Sequence, residues 1–255
     1  MNPGSVAPDA LLEVRNVRKA FGGVVANAGI DLDVTAGSIV GLIGPNGSGK
    51  TTLFNSIVGF HPIDEGTVRF DGVEITGMTV AQTARRGLVR TFQQSHVYDR
   101  LSCLDNMRIS TSHAGETPLD MLRRLPLEFE ERASQLLDFA SLYEQRHTAG
   151  GELSYGQRKL LELAMALMSR PKLLLLDEPT AGVNPTMING VMERLLRANA
   201  EMGITLLVIE HNMRVIMTLA QRIHCLAQGR VLASGLPEEI RSDPRVLEAY
   251  LGAGR

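Results

Sequence analysis

The chain has 255 residues, 44% of them apolar, enough for one large domain or one domain with a sub-lobe. A formal charge of −2 excludes the basic footprint of a nucleic-acid binder. Two widely separated cysteines, Cys103 and Cys225, exclude a CxxC redox or zinc centre and suit a reducing cytosol.

The N-terminal MNPGSVAPDA has neither a charged n-region nor an apolar h-region, so it does not read as a signal peptide. LLEVRNVRKAF, IDLDVTAG and GTVRFDGVEI follow, alternating apolar and polar residues as half-exposed antiparallel strands do. Three apolar runs read as strands covered on both faces of a parallel sheet: SIVGLIG (38–44), KLLLLDEP (172–179) and GITLLVIEH (203–211). Each precedes a helical pattern, at 50–59, 185–203 and 212–220, and strand–helix alternation predicts an open α/β sheet. Between about 95 and 170 the strand signal disappears. FEERASQLLDFASLY and RKLLELAMALMSR carry helical spacing, with Leu160, Leu161, Ala164, Leu167 and Met168 on one face. HCLAQGRVLASG (224–235) reads as a closing hairpin turning at Gln228-Gly229. LLLL (173–176) and ITLLVI (204–209) are too short to cross a bilayer, so any membrane spans must come from another chain.

The expected organisation is one α/β domain over 1–255 with a P-loop core. Residues 10–94 and 171–235 form the mainly parallel sheet, its flanking helices and an N-terminal antiparallel β subdomain. Residues 95–170 form an inserted helical subdomain, and 236–255 a C-terminal helical tail.

GPNGSGKT (44–51) fits G-x-x-x-x-G-K-[ST] between a predicted strand and a predicted helix. Gly44, Pro45, Asn46, Gly47, Ser48, Gly49, Lys50, Thr51 and Thr52 thus form a candidate phosphate cradle. Its glycines let backbone N–H groups curl around phosphates, Lys50 reaches the β- and γ-phosphates, and the Thr51 hydroxyl binds Mg²⁺. LLLLDEP ends a buried strand in two acids, which is costly unless they have a partner or a task. Asp177 is placed to organise Mg²⁺, and Glu178 to polarise an attacking water. His211 follows the strand ITLLVIE. In an open α/β sheet ligands bind at the carboxyl strand ends, so the loop, the acids and His211 should line one edge. Gln93, in RTFQQ, can bind Mg²⁺ or water through its amide oxygen. Phe21 could stack on a base, but with seven phenylalanines in the chain a core role is the expectation from sequence.

LSYGQ (153–157) precedes a good amphipathic helix. Ser154 followed by Gln157 fits the capping-box spacing, so a well-started helix accounts for it. Alternatively, Ser154 and the N–H groups near Gly156 bind a γ-phosphate, presented by a second copy facing head to tail.

These motifs together resemble the ATP-binding subunit of ABC transporters over essentially the whole chain. The resemblance makes GPNGSGKT the P-loop, Gln93 the Q-loop, LSYGQ the signature motif, Asp177 the metal organiser, Glu178 the catalytic base and His211 the switch histidine. It makes Phe21 an adenine-stacking aromatic, and Ser154, Gly156 and Gln157 contacts to ATP on a partner's P-loop. RTFQ, LSYGQRKLLELAMALM, LLLLDEPTAGVNP, VIEHNM and the terminal VLEAYLG are similar to importers of branched-chain and related amino acids. That branch implies ATP and Mg²⁺, two transmembrane permease subunits, a second ATPase subunit, an external substrate-binding protein, and a peripheral place on the cytoplasmic face of the membrane. Other cargoes stay open (urea, short amides, an exported lipid), as does a soluble assembly factor. Tyr155 stands where the superfamily most often has glycine, and Asn184 where it has aspartate. Asn caps a helix about as well as Asp and Pro185 suits the first helical position, so that helix start should survive. The segment 111–131 is expected to be a surface of the helical lobe near the membrane partner.

Overall fold

The computed structural model describes residues 10–91, 97–110 and 127–252. Among them the strands run β1 Ala10–Phe21, β2 Val24–Thr35, β3 Ile39–Ile43, β4 Glu65–Phe70, β5 Val73–Glu74, β6 Leu88–Arg90, β7 Leu173–Asp177, β8 Thr205–Ile209, β9 Arg222–Ala227 and β10 Arg230–Gly235. The helices are α1 Lys50–Ile57, α2 Val80–Arg85, α3 Cys103–Ile109, α4 Leu127–Phe139, α5 Tyr155–Met168, α6 Pro185–Met202, α7 Met213–Leu219, α8 Pro237–Ser242 and α9 Pro244–Gly252. The chain divides into two compact units, one of residues 1–90, 172–178 and 198–255, the other of 91–171 and 179–197.

The first unit holds two sheets. The alternating N-terminal segments form an antiparallel sheet in the order β2-β1-β4-β5. Val14 stands opposite Leu32 on one side and Val68 on the other, so one apolar face builds up across three strands. Asn16 adopts a positive φ of 48° where the register shifts, and this bulge returns Val17 to the buried face held by Leu12 and Val14.

The second sheet has the order β10-β9-β3-β8-β7-β6, with β9, β3, β8, β7 and β6 parallel and β10 antiparallel at one edge. All five residues of each of β3, β7 and β8 are buried, as strands covered on both faces require. The hairpin turns at Gln228 and Gly229, both at positive φ (50° and 72°), the backbone a tight two-residue turn needs. Its first strand is also interior, because β9 pairs in parallel with β3. β6 escaped the sequence reading because three residues are too few to show a period. α2 and α3 also escaped it, although Thr79 with Gln82 forms a capping box and Ser102 accepts from the Asp105 N–H.

In the second unit α3, α4 and α5 pack together. The expected stripe on α5 is buried: Leu160, Leu161, Ala164, Leu167 and Met168. Ala133, Leu136 and Leu137 of α4 are buried with it. Arg132 donates to the carbonyls of Leu167 (2.6 Å) and Met168 (3.3 Å), satisfying acceptors that the end of α5 leaves free. Among the described residues, no helix is long and apolar enough to cross a membrane.

Candidate nucleotide site

The loop between β3 and α1 is shaped by two contacts that leave no room for side chains. Gly49, at φ 101°, directly precedes α1, and a Cβ there would lie 2.3 Å from the Ala26 carbonyl oxygen. At Gly44, with φ 147°, a Cβ would lie 2.1 Å from the Leu226 carbonyl oxygen. Neighbouring strands brace the loop from outside. Asn27 Nδ2 donates to the Gly49 carbonyl (3.0 Å) and the Gly229 N–H to the Ser48 carbonyl (3.1 Å). α1 has no side-chain cap and no acid in its first turn, so its positive end is left uncompensated, as an anion site requires.

Lys50 is buried, and its Nζ donates to the carbonyls of Gly44 (2.8 Å) and Pro45 (3.0 Å) and to Ser48 Oγ (3.4 Å). Burial holds its pKa below the usual lysine value, against the opposing pull of Glu178 and Asp177. Asn46, Gly47 and Thr51 are exposed, while Pro45, Gly49 and Thr52 are half-buried.

Asp177 ends β7, and burial raises its pKa despite the guanidinium of Arg90 beside it. Arg90 Nη2 lies 2.9 Å from Asp177 Oδ2, and Arg90 also donates to Asn55 Oδ1. Asp177 Oδ1 is buried and has no hydrogen-bond partner. A free carboxylate oxygen at a phosphate loop fits a hard cation that takes its remaining ligands from phosphate, water and the Thr51 hydroxyl. No cluster of three His, Cys, Asp or Glu able to hold a metal occurs among the described residues. Asp177 Oδ1 and the Thr51 hydroxyl fit Mg²⁺ completed by a nucleotide's phosphates.

Glu178 sits at φ 52°, a strained conformation for a non-glycine residue, secured by its N–H donating to the Ile209 carbonyl at 2.9 Å. His211 Nε2 approaches Glu178 Oε1 at 3.1 Å. The turn carrying His211 is tight: the Glu210 carboxylate accepts from the N–H groups of His211 (3.1 Å) and Asn212 (3.3 Å), and Asn212 caps α7. The loop, the acid pair and the histidine thus follow β3, β7 and β8, three adjacent parallel strands, as the edge rule anticipates.

Phe21 corrects the core expectation. Its side chain is 45% exposed at the end of β1, edge-on to His61 with ring centroids 5.3 Å apart. It ends β1 beyond the buried stretch, its exposed ring flanked by His61 and by Lys19, whose Nζ lies 5.3 Å from the ring centroid. Gln93 and residues 111–126 of the segment 111–131 lie outside the described residues.

In the second unit the capping box at α5 is formed. The Gln157 N–H donates to Ser154 Oγ (3.4 Å), and the Ser154 N–H to Gln157 Oε1 (2.9 Å). A Cβ on Gly156 would meet Met187 Cε at 2.9 Å, so the glycine lets α5 and α6 approach closely. Tyr155 is 46% exposed. Asn184 Oδ1 accepts from the Thr186 N–H (3.1 Å) and hydroxyl (3.0 Å), so the α6 start survives as expected.

The sequence reading missed Arg90 and Tyr250, which touch the site from β6 and from the chain end. The hydroxyl of Tyr250 accepts from the Gly44 N–H at 2.8 Å. Arg90 and Tyr250 lie in stretches quoted above, RTFQ and VLEAYLG, but no local pattern marks their roles; that of Arg90 was findable only as the cation that a buried Asp177 demands.

Residues 28–181 match the family described as ABC transporter, and residues 230–255 match the branched-chain amino acid ATP-binding cassette transporter family. The chain is 38% identical over 249 residues to the high-affinity branched-chain amino acid transport ATP-binding protein BraF of Pseudomonas aeruginosa, covering 95% of this chain and 98% of that protein. It is 38% identical over 247 residues to the probable branched-chain amino acid transport ATP-binding protein LivG of Archaeoglobus fulgidus, covering 95% and 96%. The fold is similar to an ATP-binding cassette of an ABC transporter in its ADP conformation, with TM-score 0.87, 36% identity, and 95% and 99% of the two chains covered. It is also similar to a dimeric ATP-binding cassette bound to ADP and Pi, with TM-score 0.74, 26% identity, and 89% and 98% covered. Likeness of this extent, joined to a phosphate loop, acid pair and histidine on one sheet edge, makes this chain a member of the ABC transporter family, an ATP-binding cassette with ATPase activity coupled to transport.

Proposed function

We propose that this cassette powers the import of branched-chain or related amino acids through a separate membrane permease. The observation that carries the ATPase chemistry is the 3.1 Å contact of His211 with Glu178, beside Lys50 and its loop. In this reading residues 44–52 hold the phosphates by backbone N–H groups, and Lys50 exchanges its loop carbonyls for phosphate oxygens. Glu178 polarises the attacking water, and His211 orients Glu178 and contacts the γ-phosphate. Thr51, Asp177 and Gln93 are the residues that would hold Mg²⁺, which when bound neutralises charge on the phosphates. Phe21 stacks on the adenine.

Ser154, Gly156 and Gln157 serve ATP on the P-loop of a second ATPase subunit. The capping box by itself accounts only for a well-started helix; support for the two-subunit reading comes from the likeness to a dimeric ATP-binding cassette bound to ADP and Pi. Contacts made only in the closed dimer are what let ATP shift the equilibrium towards closure. The relatives' transport names support membrane permease partners; two such subunits, an external binding protein and a peripheral place on the cytoplasmic face of the membrane complete the reading. The organisation is one ATPase domain, with a nucleotide-binding core, a helical lobe and a C-terminal tail.

Tagged purification from detergent-solubilised native membranes, with mass spectrometry of the co-purifying chains, tests this. Two multispanning proteins and a second ATPase are expected, and the ligand of the associated binding protein then names the cargo. A protein found only with soluble partners would remove the transport role. A binding protein specific for urea or a short amide would change the cargo.

A further inference from the structure

Gly44 is held from both sides. Its N–H donates to the Tyr250 hydroxyl at 2.8 Å, and its carbonyl accepts from Lys50 Nζ, also at 2.8 Å. Pro45 follows and has no N–H, so the Gly44 amide is the last donor before the loop turns. The contact with Leu226 forbids a Cβ on Gly44, which leaves its backbone no side chain of its own to fix it. The donor to Tyr250 is thus the link between the loop's entry and the C-terminal helix α9.

We propose that Tyr250 is a positioning residue for nucleotide binding: its hydroxyl pins the Gly44 peptide and so presets the loop that receives the phosphates. Tyr250 is half-buried, which restricts the freedom of its ring. Its ring lines an apolar cavity of about 440 Å³ with Met213, Met217, Ile240, Val246 and Leu247. Burial pushes its pKa up to about 12, so the hydroxyl keeps its proton at any physiological pH. Met213 opens α7, two residues after His211. The same cavity therefore adjoins the helix that follows the switch histidine, and the tail is seated against both halves of the phosphate end.

The inference rests on the nucleotide-binding reading above. Tyr250→Phe keeps the ring and removes the hydroxyl; Leu247→Ala loosens the seat of α9 and keeps it. ADP and ATP binding to the full chain are measured by calorimetry, with KM and kcat for ATP and thermal unfolding alongside. A net hydrogen bond of ordinary strength corresponds to roughly 2- to 12-fold in an equilibrium constant. Tyr250→Phe is therefore expected to raise Kd for ADP and KM for ATP by about that factor with kcat unchanged, while Leu247→Ala lowers the unfolding temperature and leaves both near wild type. Unchanged Kd and KM in Tyr250→Phe would overturn the proposal. So would equal weakening in Leu247→Ala, which would make the tail merely structural, or a lower kcat at unchanged affinity. A wild-type chain that bound neither nucleotide would instead overturn the nucleotide-binding reading.

Discussion

Arg90 and Asp177 form an ion pair at 2.9 Å with side chains only 5% and 1% exposed. Breaking such a pair from one side leaves a buried charge, which costs about 3–5 kcal/mol. Arg90→Met is expected to lower unfolding stability in urea by that amount. Adding Asp177→Asn to Arg90→Met should recover part of the loss, because the orphaned carboxylate is gone. A double variant no more stable than Arg90→Met would show that Arg90 acts through packing on Phe54, whose ring centroid lies 5.8 Å from its guanidinium, and not through charge.

Glu178→Gln preserves shape and removes the proposed base. Hydrolysis is expected to fall roughly 10²–10⁴-fold while ATP binding persists. With turnover blocked, the variant should accumulate as an ATP-bound dimer at saturating ATP and Mg²⁺. Light scattering decides this, and a monomer under those conditions would count against the two-subunit sandwich.

Asn184→Asp keeps an oxygen in place for the Thr186 N–H and adds a negative charge at the start of α6. Stability should hold or rise by about 0.3–1 kcal/mol, the usual worth of an acid at a helix N-terminus. The expected change is in coupling between two ATP sites, read as the Hill coefficient of hydrolysis. A variant with wild-type rate and cooperativity would show that the missing charge at this position has no bearing on coupling.

His224 is buried in β9, with Nδ1 2.9 Å from Ser234 Oγ and Nε2 unpartnered. Burial, and then the charge of Arg222, lowers its pKa from 6.5 to about 4. Between those values the unfolded chain binds the proton that the folded chain refuses, so stability rises with pH. The contribution is full above about pH 6.5 and is lost as pH falls towards 4. Between pH 6.5 and pH 5 the loss should be about 1.5 kcal/mol. Urea unfolding at both values checks it: His224→Asn should show that much less pH dependence, and an equal dependence would remove His224 as the cause.

Legibility followed physical range. The phosphate loop, the buried strands and the α5 stripe are written in contiguous residues, because phosphate cradling and helical or strand periodicity are local chemistry. The edge carrying Asp177, Glu178 and His211 was legible too, since strand–helix alternation implies a parallel sheet and its carboxyl end. Phe21 was misjudged because composition says nothing about where a strand outruns its core.

By itself, then, the sequence determined the two sheet types, the starts of α1, α5, α6 and α7, and which residues are candidates for the chemistry. Only the tertiary structure decided that β9 lies inside the sheet, that Arg90 neutralises Asp177 across 87 positions, and that Tyr250 reaches Gly44 across 206. Contacts of that separation depend on strand order and on how the chain end packs, and no spacing along the chain encodes them.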